Sequence, residues 1–213
     1  MQTIRHNIPD DLLMGYAAGV LPQAFDLVVA THVSLSDDAR ARLAGYEAVG
    51  GAMLDDMDEA PIGADSLEQT MARIAGMKPT RRTAPARGIF PEPLRRIVGG
   101  DADAVKWRSI GLGARQSVVY SDGDATARLI CIPAGQAMPQ HSHRGLEMTL
   151  VLQGAFRDDD GVYARGDIEV ADQQVDHTPV AEPGEDCICL IATDGRLKFN
   201  GLLPRIAQPF LGI

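Results

Sequence analysis

Cysteine is scarce in this 213-residue chain, and its three cysteines, Cys131, Cys187 and Cys189, all fall in the second half. So small and odd a set builds no disulfide framework of the kind that holds small secreted domains together. Long apolar runs are missing as well, and no charged, apolar and cleavable pattern opens the chain, so a cytoplasmic protein without a membrane span is expected. Basic charge is in deficit: 20 Lys and Arg stand against 29 Asp and Glu, a formal net charge of -9. That balance disfavours direct nucleic-acid binding and leaves basic proteins as natural partners. Repeats and low-complexity segments are absent, and the length allows one large domain or two small ones, each able to bury a core.

Histidine is sparse too, with five in the chain, yet two of them stand one residue apart. His141 and His143 share one face of a strand, because strand side chains alternate. Glu147 follows after a bend at Gly145, and Met148 to Leu152 read as a buried strand. His177 lies downstream in the same strand-rich region. Imidazole and carboxylate together suit zinc, iron, manganese or nickel. The order His141-x-His143-x3-Glu147, with Gly135 before it, Gly154 after it and His177 further on, resembles the first cupin motif. Where cupins usually place Pro-x-Gly-x-x-His, this chain has Asp172-Gln-Gln174-Val-Asp-His177, and only the histidine is kept. The resemblance implies a jelly-roll barrel with His141, His143, Glu147 and His177 as metal ligands.

The first part of the chain is helical in pattern. Pro9-Asp10-Asp11 opens a helix with Leu12, Leu13, Tyr16, Ala17 and Val20 on one face. Pro22 opens a second, through Phe25, Val28, Val29 and His32. Ser36-Asp37-Asp38 starts a third, weakened at Gly50-Gly51. An acidic connection leads to Ser66-Leu-Glu-Gln69, a capping box for a fourth helix carrying Leu67, Met71 and Ile74. From Lys78 to Arg96, prolines alternate with lysine and arginine and no apolar face survives, which reads as a semi-extended linker. Beyond it, glycine turns separate short segments such as Ser117–Tyr120, Ala127–Ile132, Met148–Leu152 and Asp186–Ala192, the pattern of a β barrel or sandwich. The expected organisation is therefore two-domain α + β: four helices in residues 1–85, a Pro/Arg-rich linker in 86–100, and an all-β cupin in 101–213. Cys187 and Cys189 share a strand face and read as small core residues, with a redox or metal-adjacent role as the alternative.

His32-x3-Ser36-x2-Ala39, with His6 upstream, resembles the zinc anti-sigma motif, in which the pattern is His-x3-Cys-x2-Cys. Ser36 and Ala39 stand at the two cysteine positions, so zinc on His6, His32, Ser36 and Ala39 is expected to be absent or weak. A short acidic helical domain joined to a cupin is similar to the ChrR type of anti-sigma factor. That resemblance implies a non-enzymatic inhibitor that holds one extracytoplasmic-function sigma factor in a 1:1 complex. It also implies release on an oxidative or photo-oxidative signal that requires a zinc-bearing cupin. Leu13, Met71 and Ile74 are the expected partner contacts. The competing reading is a cupin metalloenzyme, such as an iron dioxygenase, with an appended helical domain.

Overall fold

The computed structural model describes residues 3–77, 88–142, 145–173 and 175–195, with 198 and 199 as backbone alone. Helix α1 (Asp10–Ala17) begins after Pro9 with both aspartates in its first turn, where they face the positive end of the helix dipole. Helix α2 (Gln23–Leu35) follows Pro22 and buries Phe25, Val28, Val29, Thr31 and His32. Ser36 then caps α3 (Asp37–Asp55), its hydroxyl accepting from the Ala39 amide at 3.1 Å. Gly50 and Gly51 do not interrupt α3. Their cost of about 1 kcal/mol each falls on the solvent-facing half of that helix, where nothing is packed that a fraying turn would disturb. Helix α4 (Ser66–Gly76) starts one residue earlier than its capping box suggests. Asp65 is the flanking residue, and the Gln69 amide reaches back to its carboxylate.

The β region holds β1 (Arg108–Gly111), β2 (Ala114–Ser121), β3 (Thr126–Ile132), β4 (His141–Ser142), β5 (Glu147–Gln153) and β6 (Ala155–Arg157). It continues with β7 (Val162–Ala164), β8 (Ile168–Ala171), β9 (Asp176–His177), β10 (Val180–Ala181), β11 (Cys187–Thr193) and β12 (Lys198–Phe199). A six-stranded sheet runs β1-β2-β3-β11-β5-β8, opposed by the short sheets β10-β6-β7 and β12-β4-β9. Every strand pairing among the described residues is antiparallel. The protein is thus a helical region followed by a cupin-like β domain, as the sequence predicts.

Strand β11 is buried between β3 and β5, with Leu190 opposite both Leu129 and Leu150. These leucines belong to one face of the large sheet, and α2 lies across β3, β5 and β11 on that face. The other face turns inward, where Ile130, Val151, Cys187 and Cys189 meet Phe156 and Tyr163.

Two expectations about the domain junction need correction. The separate cores implied by a linker are instead one cluster, which runs from Leu13, Phe25 and Val28 through Leu94 to Leu129 and Leu190. The 86–100 segment is also not extended where it is described. Residues 78–87 lie outside the described residues, but α5 (Glu92–Val98) is a helix packed on α2, with Leu94 fully buried and Phe90 nearly so. Its prolines mark helix entry, not extension: Pro91 precedes the helix and Pro93 sits in the first turn, where a missing N–H costs nothing. Arg95 and Arg96 complement the C-terminal dipole, and Gly99 closes the helix in the left-handed conformation. Asp101 braces the entry by accepting from the Ile89 and Phe90 amides. A seven-residue helix is too short for its apolar face to show as a period.

Candidate metal centre

Strands β4 and β9 place His141 directly opposite His177. Glu147 opens β5 after the bend at Gly145, whose position is set by close approach. A Cβ there would stand 1.9 Å from the Asp194 carboxylate, which accepts the Leu146 amide at 2.7 Å. The ligand atoms of His141, Glu147 and His177 all lie within 4.8 Å of one another, and all three residues are buried. His143 lies outside the described residues.

Both histidines are oriented from behind. Pro139 O accepts from His141 Nδ1 at 2.8 Å, and Glu169 Oε1 accepts from His177 Nδ1 at 2.9 Å. Each ring therefore turns its Nε2 toward the other, with the two nitrogens 3.3 Å apart. Two imidazole acceptors at that separation require a cation or one shared proton between them. The donor set fits a metal ion, with second-sphere acceptors fixing both tautomers.

The electrostatics of the side chains themselves point the same way. Burial pushes Glu147 up to about 7, with the charge of Glu169 adding to the rise. Burial lowers His141 to about 4. His177 goes the other way: burial opposes its charge, but the Glu169 hydrogen bond and the charges of Glu169 and Glu147 outweigh it, and its pKa is raised. A divalent ion relieves this strain by neutralising the buried carboxylates directly.

Behind His177 stands a second carboxylate, and neither it nor Glu169 belongs to the cupin-like motif. Asp158 Oδ2 is 3.5 Å from His177 Nδ1, its side chain as buried as that of Glu169. The legible signal for Glu169 was an acid inside the apolar run Ile168 to Ala171. Cys187 and Cys189 sit on the inward face of β11, their sulfurs 3.6 Å apart. Their mutual hydrogen bond and burial hold the Cys189 thiol well above its ordinary range, so it is a protonated core residue and not a thiolate.

The four N-terminal positions are arranged differently, and they do not fit a metal. His32 Nδ1 donates to Gly166 O at 3.0 Å, while its Nε2 faces the Ile8 amide at 3.5 Å. Ser36 is engaged as the α3 cap and donates to Asn7 Oδ1. Ala39 is buried and offers no donor atom. His6 leans on the Tyr163 ring and faces Asp167. Among the described residues, neither group of three or more converging ligands includes His6 or His32. Of the expected partner contacts, Leu13 is completely buried in the core, whereas Met71 and Ile74 are 57% and 56% exposed on α4. Leu13 therefore serves packing among the helices.

Burial pushes His32 down to about 4 from an ordinary 6.5. A depressed pKa means that the stability contributed by the neutral ring is complete above pH 6.5 and is lost as pH falls toward 4. The expected size is about 3 kcal/mol. His32→Asn keeps a donor for Gly166 O but does not titrate. Urea unfolding at pH 7 and pH 4.5 is expected to show a smaller acid loss for His32→Asn than for wild type, by roughly 2–3 kcal/mol.

Fold and site together define a cupin-bearing α + β protein with a helical region packed on the barrel and a metal-capable centre inside it. Residues 96–195 match the ChrR cupin-like domain family. Along 99% of its length the chain is 51% identical to all of the anti-sigma-E factor ChrR of Cereibacter sphaeroides. It also superposes, with a TM-score of 0.79 and 50% identity, on a chain of the crystal structure of Rhodobacter sphaeroides SigE in complex with the anti-sigma ChrR, covering 90% of this chain and 100% of that one. The chain belongs to the ChrR family of anti-sigma factors. Membership places it among transcription regulators and not among enzymes. No helix of the described residues is long and apolar enough to cross a membrane.

Proposed function

We propose that this protein is a cytoplasmic anti-sigma factor that holds one extracytoplasmic-function sigma factor in a 1:1 complex through its helical region. Its cupin carries zinc on His141, His143, Glu147 and His177 and reads an oxidative or photo-oxidative signal that releases the partner. The observation that carries the reading is the end-to-end similarity to an anti-sigma factor seen in complex with SigE. Helix α4 supplies a surface for it. It buries none of its residues, and Leu67, Met71 and Ile74 form an exposed apolar stripe at helical spacing. Such a stripe, framed by the chain's acidic surface, suits an apolar groove on a basic partner. Four nitrogen and oxygen ligands would give zinc a closed shell, which favours sensing or structural support over turnover. The functional division we assign is binding by residues 1–85 and signal reception by residues 101–213, with the junction between them folded against both.

The test is calorimetry of the full chain with its SigE-type sigma factor. Wild type is expected to bind at 1:1, and Met71→Asp combined with Ile74→Asp to weaken binding at least about 100-fold. Both side chains are exposed, so the far-ultraviolet dichroism should stay unchanged. Undiminished binding by the double variant would remove α4 from the interface, and no binding by wild type would remove the function.

A further inference from the structure

Four consecutive residues, Gly166 to Glu169, touch both halves of the molecule. On one side, Asp167 Oδ1 accepts from the Arg5 and His6 amides at 2.6 and 2.9 Å. The Ile168 amide donates to His6 O at 3.0 Å, and Gly166 O accepts from His32 at 3.0 Å. The N-terminal arm, residues 3–8, thus lies along β8, which is an edge strand of the large sheet. Gly166 is held at φ +92°, and a Cβ there would meet Ile4 at 2.8 Å, so the arm fits against a turn that only glycine makes without strain. On the other side, Glu169 receives His177 Nδ1, and Asp158 stands behind the same ring.

We propose that the Gly166–Glu169 segment couples the cupin metal centre to the helical region, with Glu169 positioning His177 at one end and Gly166 and Asp167 docking the arm and α2 at the other. This rests on the metal reading above and adds a route by which the state of the centre reaches the partner-binding helices. The two histidines left from the zinc anti-sigma pattern supply the docking: His32 donates to Gly166 O, and the backbone of His6 both gives and receives a hydrogen bond. The physical element has two states, an arm docked on β8 and an arm released from it. Metal at His177 holds Glu169 in place through the ring. Losing that ion frees Glu169, and with it the start of β8 to which the arm is bonded. Coupling of this kind is reciprocal, so arm docking must tighten metal binding by the factor by which metal protects the arm.

The experiment uses the full chain with zinc as the probe. Amide exchange is followed at residues 5–8 and 166–169 with one equivalent of zinc and again after chelation. Zinc affinity is measured for wild type, Glu169→Ala, Glu169→Gln and Asp167→Ala. Chelation is expected to speed exchange at the His6 and Ile168 amides by about 5–150-fold. Glu169→Ala should weaken zinc about 10–100-fold. Glu169→Gln keeps an acceptor for Nδ1–H and should retain most of the affinity, which a merely structural role would not predict. Asp167→Ala, whose side chain bonds to Arg5, His6 and Ala164 and to none of the proposed ligands, should weaken zinc by the factor seen in exchange; if it fails to fold, the wild-type exchange comparison still decides. Exchange indifferent to zinc overturns the coupling, even if Glu169→Ala binds zinc poorly. Equal zinc affinity in Glu169→Ala and wild type overturns the positioning role. A wild-type chain that takes up no zinc overturns this inference together with the metal reading, while the sigma-binding test stands apart from both.

Discussion

Replacing His141 and His177 together by alanine is expected to abolish stoichiometric zinc binding by the full chain. The binding free energy of structural zinc sites is roughly 10–16 kcal/mol. Two of four ligands account for about half of it, which corresponds to a loss of roughly four to six orders of magnitude in affinity. The geometry makes this pair decisive, because the two Nε2 atoms face each other across 3.3 Å and each ring is locked from behind. Without them the proposed set is reduced to His143 and Glu147, and burial of the Glu147 carboxyl favours its protonated form, which makes a poor cation site. The same logic gives the wild-type protein a pH dependence. Zinc must displace the protons of both Glu147, raised to about 7, and His177, raised above its ordinary value, so affinity should fall as pH drops through 7. Metal analysis after dialysis and chelator competition from pH 5.5 to 8 would measure both effects. Full zinc occupancy in the double variant would show that the ion sits elsewhere.

Much of this centre was legible from spacing. Alternation in a strand put His141 on a common wall, the Gly145 bend brought Glu147 to it, and His177 was the downstream histidine left in the strand-rich region. The long central strands were legible as well: Ala127–Ile132 and Asp186–Ala192 read as apolar runs because β3 and β11 are covered on both faces. What failed was everything decided by contact between distant segments. Asp167 and Glu169 look like solvent-facing acids of a turn and strand, yet both are buried, because the N-terminal arm and His177 supply their donors. Leu13 could be placed on an apolar helix face, but period alone does not say whether that face meets a partner or the chain's own core. His6 and His32 were drawn together by a motif, whereas the folded chain spends them on the 166–168 turn. The arm and α2 partners of the 166–168 turn lie more than a hundred residues away and leave no local trace, whereas His177 is only eight residues from Glu169 but across a turn.

The junction offers the other large effect. Phe90→Ala and Leu94→Ala are expected to destabilise the full chain by about 3–5 and 2–5 kcal/mol, respectively. Both side chains are buried in the cluster that joins α2 to the sheet. An extended linker between two independent domains would tolerate either change within about 0.5 kcal/mol. The double variant should lose less than the sum, since the two residues share a cluster and a cavity opened by one relaxes the other. Denaturant unfolding separates the alternatives further. Because α2 packs on β3, β5 and β11, loosening α5 exposes apolar surface of both regions at once. Fluorescence of Trp107, half-buried at the edge of that cluster, and far-ultraviolet dichroism of the helices should therefore report one coincident transition in wild type and variants alike. Two separated transitions, with only the helical one shifted by Leu94→Ala, would restore independent cores. In that case α2 would be an interface helix that docks on the barrel after each part has folded.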